Sequence, residues 1–337
     1  MELDLPERKL VLDDMGRVVD VRVPERLAAH RLIEEFMILA NVAAAETLEK
    51  AGLTFVYRSH GEPTAEKLRT LAEMLISIGQ KLPKQGALRA AQFNQILKLL
   101  KGTEHETFAN EVVLRTQAQA EYTQDNIGHF GLNLRRYAHF TSPIRRYADL
   151  IVHRALISAL KLGDDAAKAI TPAQMREIAT RISGAERRAM AAERETTDRL
   201  IAGYLAEHVG ASFEGRVAGV TRSGMFVKLN DTGADGFIPA ATLGADYYAF
   251  DERAHAITGT RTGESWRLGD KVRVKLVEAA PFAGALRFEM MSEGRVVARE
   301  MRPKGDGIGK KRPGARAFSA PRTASHKGTR AAPRSKR

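Results

Sequence analysis

The chain has 337 residues, 44% of them hydrophobic, which is enough for a sizeable core in two domains, or in a domain with a tail. It contains no cysteine, so disulfide scaffolds, thiolate metal sites and cysteine nucleophiles are excluded. The sequence has no stretch of 18 apolar residues, and its first residues are acidic and mixed, unlike a signal peptide. We therefore expect a cytoplasmic protein without a membrane span.

Helical periodicity dominates the first 209 residues. It predicts helices within residues 25–52, 64–80, 86–102, 143–160 and 171–207, with a short strand in LTFVYR. The first helix is apolar nearly all round at residues 37–45, so we expect that part to be buried. The stretch EVVLRTQAQAEYT fits a strand or a helix. Thr171 should cap the last helix, because Pro172 and Gln174 complete a capping box behind it.

The pattern changes at Gly210, where apolar and polar residues alternate between glycine-containing turns. Short strands and tight turns over about 80 residues are typical of a small antiparallel barrel. We therefore predict an α+β chain with a mainly helical region (1–209), a β-barrel of the OB-fold type (210–293) and a basic tail (294–337).

The positive charge is concentrated near the C-terminus. Of the 53 Lys and Arg residues, 12 lie in residues 302–337, which hold a single acid, Asp306. The remaining 41 basic and 40 acidic residues nearly cancel. The tail is rich in Gly, Pro, Ser and Ala, so we expect it to be disordered and to attract polyanions, most often nucleic acid. A tail that only raises solubility is the alternative.

Two arginines follow a Ser-Pro pair in TSPIRRYADL. Ser142 is a natural N-cap and Pro143 suits the first helical position, so Arg145 and Arg146 should lie in the first turn of a helix. Cations there are unfavourable unless an anion binds, and guanidinium groups at a helix start suit a phosphate. In the alternative, Arg145 pairs with Asp149 and Arg146 lies in solvent.

The residues just upstream mix cations with flat rings, which suits contacts to nucleic-acid backbones and bases. Structural hydrogen bonds for the histidine and core packing for the rings are the alternatives. In the barrel, Phe226 is the best stacking candidate, because it lies beside a glycine-containing strand. Phe237 could be an exposed ring or could fill the end of the barrel. The candidates for RNA binding are Arg135, Arg136, Tyr137, His139, Phe140, Arg222, Phe226, Lys228 and Phe237.

These stretches carry a family resemblance. NIGHFGLNLRRYAHFTSPIRRYADLIVHR resembles the signature of the RNase II/RNase R family of 3′-to-5′ exoribonucleases, and HRLIEEFMILANVAAAE matches a second segment of its catalytic domain. FEGRVAGVTRSGMFVKL and GADGFIPAATL resemble the OB-fold RNA-binding domain named after the first small-subunit ribosomal protein. A basic C-terminal tail is a feature of the RNase R branch.

The resemblance implies hydrolysis of single-stranded RNA from its 3′ end to nucleoside 5′-monophosphates. It implies two divalent ions, Mg²⁺, held by four aspartates. Arg145, with Arg146 as the second choice, would stabilise the scissile phosphate. A glutamate near the end of the RNA channel is carried over onto Glu34 or Glu35, which could instead be ordinary solvent-facing acids.

The family's aspartate pattern is missing. It requires an Asp, five residues, an Asp, one residue and an Asp pair, whereas adjacent aspartates occur only at residues 13–14 and 164–165, in predicted turns. We therefore expect no metal ligands in this chain, and we interpret it as the C-terminal part of such an enzyme. It would be a truncated product, one half of a split nuclease completed by a separate chain, or a non-catalytic RNA-binding protein. An apolar face should then remain uncovered.

Overall fold

The computed structural model describes residues 1, 3, 8–82, 89–103, 105–163, 166, 170–252 and 254–297. The predicted turn at Asp164 and Asp165, and the predicted disorder of residues 298–337, lie outside the described residues. Within the described part, no helix combines the length and the apolar character that crossing a membrane requires.

The chain begins with an antiparallel hairpin of β1 (Lys9–Leu12) and β2 (Val18–Arg22). The Asp13 carboxylate accepts hydrogen bonds from the backbone N–H groups of Met15 and Arg17, at 2.9 and 2.8 Å. The prediction that the first aspartate pair lies in a hairpin turn is therefore confirmed.

Helix α1 (Ala28–Lys50) follows, and only its second half is packed. Asn41, Ala44, Ala45 and Leu48 are buried, and this half lies against the helix that follows the arginine pair. The prediction that residues 37–45 are buried throughout is wrong, since Leu39 is 62% exposed. The exposed side chains of the first half form what we call the α1 apolar face: Leu32, Ile33, Phe36 and Leu39.

The middle of the chain builds a small helical core. β3 (Tyr57–Ser59) pairs antiparallel with β4 (Glu121–Thr123), and between them lie α2 (Ala65–Ser77), α3 (Ala90–Leu100) and α4 (Glu106–Thr116). The ambiguous stretch at 111–123 is thus a helix followed by a strand. The shared core of α2, α3 and α4 contains Leu71, Leu75, Phe93, Phe108 and Val113.

Two more helices complete this region, α5 (Tyr147–Leu160) and α6 (Pro172–Ala206). The predicted capping box is confirmed, because Thr171 Oγ1 accepts from Gln174 N at 3.3 Å and Gln174 Oε1 accepts from Thr171 N at 3.0 Å. α6 packs on both β4 and the barrel, so it joins the two regions.

The strands after α6 form two sheets. β5 (Ser212–Thr221), β6 (Gly224–Leu229) and β7 (Asp235–Pro239) form a meander. β8 (Tyr248–Asp251), β9 (Ala256–Gly259) and β10 (Glu264–Arg267) belong to the second sheet. β11 (Lys271–Ala280) and β12 (Ala285–Met290) close the barrel in the order β11-β12-β7-β6-β5. β13 (Arg295–Val296), within the segment assigned to the tail, adds to β10.

The barrel was predicted to be antiparallel throughout, but one of its strand contacts is parallel. Arg287 on β12 pairs with Phe237 on β7 in parallel, whereas the other four contacts around the ring are antiparallel. The reason is parity, because neighbours in a closed ring of five strands cannot all run in opposite directions.

α4 holds the barrel against the helical region through polar contacts. Glu111 pairs with Lys228 at 3.1 Å, and Arg115 Nη1 donates to the carbonyl of Ala218 at 2.8 Å. Phe108 lies so close to Gly269 that a Cβ there would approach its ring to 2.9 Å. Gly269 also has a φ of +89°, so this junction favours glycine on two counts.

Candidate nucleic-acid interface

The arginine pair lies in a turn that precedes a helix. The backbone N–H groups of Arg145 and Arg146 donate to the carbonyl of Ser142 at 3.3 and 3.1 Å, and α5 begins only at Tyr147. Arg146 is extended, with φ −124° and ψ 119°, which interrupts the helix that Pro143 was predicted to open. The prediction that Ser142 caps the helix is therefore wrong. We call residues 142–146 the arginine turn.

A buried carboxylate anchors the arginine turn. Asp149 is fully buried, and its Oδ1 accepts from the backbone N–H of Ser142 at 2.7 Å and from Arg146 Nη2 at 2.8 Å. The alternative drawn from the sequence, in which Arg145 pairs with Asp149 and Arg146 lies in solvent, is therefore wrong, because Asp149 pairs with Arg146. The Arg145 side chain is exposed and makes no hydrogen bond or ion pair with any described residue. Arg145 is therefore the guanidinium available to an anion.

Tyr137 is a core residue. Its ring is buried, and its hydroxyl accepts from Asn41 Nδ2 at 3.0 Å. The other end of the same amide, Asn41 Oδ1, accepts from the backbone N–H of Phe140 at 2.8 Å. The ring of Phe140 stacks on His153, with centroids 4.3 Å apart. These rings fix the segment that leads into the arginine turn, and Tyr137 is not available to stack on a base.

His139 lies behind the arginine turn and is kept neutral. Its Nδ1 is 2.9 Å from the Tyr122 hydroxyl. Burial, reinforced by the positive charges of Arg146 and Arg58, lowers the pKa of His139 to about 3. Arg58 in turn lies over the Tyr122 ring and pairs with Glu186 at 2.7 Å. The histidine thus has a structural partner, as the sequence alternative allowed.

The remaining charged candidates of this region differ in availability. Arg136 is paired with Glu49, whereas Arg135 is exposed and has no ion pair within the described ranges. Glu34 is paired with Arg26, and Glu35 is exposed beside it on the first half of α1. Arg135 and Glu35 therefore remain free to contact a ligand.

Two phenylalanines form a platform on the outside of the barrel. Phe226 on β6 and Phe237 on β7 are register partners, and their ring centroids are 5.1 Å apart at an interplanar angle of 51°. Phe226 is 43% exposed, and Gly219 opposite it on β5 leaves the ring uncovered on that side. This aromatic pair has the geometry on which successive bases stack.

The cations near the aromatic pair include one that sequence reasoning missed. Arg287 is exposed on β12 in register with Phe237, and it pairs with Glu278 at 2.9 Å. Alternation in ALRFEM puts Arg287 on the outer face, but only the strand order places β12 beside β7. Arg222 is exposed in the β5–β6 turn, whereas Lys228 is engaged by Glu111.

The described residues do not provide the divalent-metal site expected from the family resemblance. Among them, no group of three or more His, Asp or Glu side chains is placed to hold a metal ion. The rings of His60 and His129 meet at 5.0 Å, but each has other hydrogen-bond partners, and burial lowers the pKa of His129 to about 4.

Comparison with known proteins finds two family matches along the chain. The family described as RNB domain matches residues 1–162, and the S1 RNA binding domain matches residues 207–285. Ribonuclease R of Aquifex aeolicus is 39% identical over 293 residues, which cover 87% of this chain and 41% of the relative. Ribonuclease R of Escherichia coli K12 is 34% identical over 319 residues, covering 90% and 39%.

Solved structures share the fold. The apo form of Mycoplasma genitalium RNase R superposes with a TM-score of 0.79 at 24% identity, covering 86% of this chain and 46% of that protein. Its complex with ribose methylated single-stranded RNA gives the same values. Most of the helical region therefore corresponds to an RNB domain, and the barrel corresponds to an S1 RNA binding domain. The chain belongs to the RNase II/RNase R family, and it spans about two fifths of the length of the curated relatives.

Proposed function

We propose that this chain binds single-stranded RNA as part of an RNase R-type 3′-to-5′ exoribonuclease that releases nucleoside 5′-monophosphates. The observation that carries the proposal is the arginine turn, in which buried Asp149 holds Arg146 and leaves Arg145 exposed. An exposed guanidinium presents two parallel N–H donors to a phosphate. Arg145 would then stabilise the negative charge that develops on the scissile phosphate.

The barrel would hold the RNA strand that leads to this phosphate. Base stacking on the aromatic pair is tolerant of sequence, because every base has a flat face, so we expect little sequence preference. Arg222 and Arg287 lie where they can contact the backbone of a stacked strand. The basic tail would add contacts to phosphates.

The metal ligands and part of the channel would come from outside the described residues. Two observations support this: the lack of a metal-binding cluster among them and the uncovered α1 apolar face. We propose that the face packs against the N-terminal catalytic half, supplied by a separate chain, and that this half carries the aspartates for Mg²⁺. Glu35, next to Phe36 on α1, would then lie at the junction.

A non-catalytic RNA-binding protein is the second candidate. The aromatic pair supports it, because stacking on Phe226 and Phe237 needs neither Arg145 nor a metal. The two candidates differ in what they require of Arg145, since a protein that only binds RNA needs no guanidinium at the scissile phosphate.

One experiment tests whether this chain cleaves RNA by itself. The purified chain is mixed with 5′-labelled single-stranded RNA, with and without Mg²⁺, and the products are resolved on a gel. A Mg²⁺-dependent ladder that shortens from the 3′ end, is lost in Arg145→Ala and persists in Arg181→Ala supports an active nuclease; Arg181, an exposed arginine on α6, is the control. Binding without shortening is expected both of a chain whose metal site lies elsewhere and of a protein that only binds RNA. No binding at all would contradict both.

A further inference from the structure

A cavity of about 360 Å³ lies between α4 and the barrel, away from the arginine turn. α4 contributes Phe108, β5 contributes Arg216, and β10 contributes Trp266 and Arg267. β11 and β13 close the cavity with Lys271 and Arg295. Its volume is in the range of pockets that bind small molecules.

Cationic side chains outnumber acidic ones in the lining of the cavity. Its lining holds four cations and two acids, Asp270 and Glu293. Asp270 is already engaged, since its Oδ2 accepts from the backbone N–H of Arg267 at 2.8 Å and its Oδ1 pairs with Arg295 at 2.9 Å. Glu293 is exposed.

Two of the four cations have no polar partner for their side chains among the residues that the structure describes. Arg216 and Arg295 each make one polar contact, to the carbonyl of Gly269 at 3.1 Å and to Asp270. The side chains of Arg267 and Lys271 make no hydrogen bond or ion pair with any residue that the structure describes. The cavity is therefore suited to an anion.

A buried donor in the wall of the cavity also lacks a partner. Trp266 is only 2% exposed, and its Nε1–H has no hydrogen-bond acceptor among the described residues. Buried N–H groups are nearly always paired, because leaving one unpaired costs its full desolvation. The rings of Trp266 and Phe108 add apolar wall against which a base or ribose can pack.

We propose that this cavity binds a phosphate with its attached nucleoside, as a nucleotide unit of RNA or as a free mononucleotide. A row of basic residues supports the RNA source, since Lys271, Arg216 and Lys228 are register partners across β11, β5 and β6. Lys228 lies two residues from Phe226 on the same face of β6, so a strand stacked on the aromatic pair can continue along this row. That source rests on the proposed function, whereas binding of a free mononucleotide does not.

The chain supplies its own reporter for the test. Trp266 is the only tryptophan, so a change in tryptophan emission reports directly on the cavity wall. The full chain is titrated with adenosine 5′-monophosphate, with adenosine and with a short oligoadenylate. We expect a saturable change with the mononucleotide, the oligonucleotide or both, and none with adenosine. A response to the oligonucleotide alone assigns the phosphate to an RNA backbone, and one to the mononucleotide alone assigns it to the free nucleotide.

Charge-removing variants complete the test. Arg267→Gln and Lys271→Gln should each weaken the response at least about tenfold, since each removes a charge-assisted contact to the phosphate. Lys275→Gln, an identical change on the exposed face of β11, should leave it unchanged. A saturable response to adenosine, the absence of any saturable response, or equal effects of Lys271→Gln and Lys275→Gln would overturn the proposal. RNA binding in a gel-shift assay without any change in Trp266 emission would contradict nucleotide binding in the cavity and leave the proposed function intact.

Discussion

The buried carboxylate of Asp149 lies 2.7 Å from the backbone nitrogen of Ser142, seven residues earlier in the chain. This contact closes the arginine turn onto the start of α5. The same carboxylate accepts a hydrogen bond from the guanidinium of Arg146. Of the two adjacent arginines, Arg146 therefore has a structural role and Arg145 is exposed to solvent. The position of Arg145 therefore depends on a fully buried residue.

Replacing Asp149 should both destabilise the protein and displace Arg145. Asp149→Ala leaves Arg146 and the Ser142 N–H without their acceptor in a buried position, at a cost of roughly 3 kcal/mol. Urea unfolding measures this loss. Asp149→Asn should cost less, because the amide oxygen still accepts from Ser142. Equal stability of Asp149→Ala and the unchanged chain would show that the carboxylate does not hold the turn.

Stacking on the barrel should depend on Phe226. Phe226→Ala removes a partly exposed ring, so we expect RNA affinity to fall by about 1–3 kcal/mol with little change in stability. Fluorescence anisotropy with a labelled oligonucleotide measures the affinity. Phe282→Ala is the matched control, since Phe282 is 98% exposed and lies outside the aromatic pair. An equal loss in both variants would refute the assignment.

Stability should decrease as the pH falls below neutrality. Burial lowers the pKa of His139 to about 3, while the unfolded chain has an ordinary histidine pKa of about 6.5, so the unfolded state binds the extra proton. The stabilisation is complete above about pH 6.5 and is lost as the pH falls toward 3. Between pH 6.5 and 5 the loss should be roughly 2 kcal/mol for this group.

The control for the pH dependence is His139→Gln, which cannot titrate. Urea unfolding at pH 7 and pH 5 should show a smaller difference in this variant than in the unchanged chain. His129, whose pKa burial lowers to about 4, should contribute in the same direction and keep part of the slope. An identical pH dependence in both proteins would mean that His139 is not buried as a neutral ring.

The basic tail should control the salt dependence of RNA binding. Removing residues 302–337 takes away 12 cations and one acid, so affinity should fall and its dependence on salt should flatten. Binding isotherms at several salt concentrations give the slope. An unchanged slope after the deletion would mean that the tail makes no phosphate contacts.

Sequence reasoning succeeded where the determinants are local. The capping box of Thr171 and Gln174 and the hairpin turn at Asp13 depend on residues a few positions apart, and both were predicted. The start of α5 was not, because Arg146 is held extended by a contact to Asp149 that competes with Pro143 as a helix-opening signal.

The remaining errors concern neighbours in space. Periodicity shows that one side of α1 is apolar, but it does not show which element packs there, so the exposure of Leu39 was missed. Arg287 was missed for the same reason, since its position beside Phe237 depends on the order of strands far apart in sequence. Phe226 and Phe237 were each named as candidates, but their pairing was not predicted, although β6 and β7 are consecutive strands joined by a short connection.

The parallel contact of Phe237 with Arg287 has a kinetic consequence. It joins two strands between which β8, β9, β10 and β11 lie in the chain, whereas β5, β6 and β7 meet through short connections. Closing a long loop costs more entropy than closing a short one, and contacts distant in sequence form slowly. We therefore expect the meander to form first and the barrel to remain open along β7 until β12 docks. During that interval β7 is an unpaired edge, open to pairing with another chain.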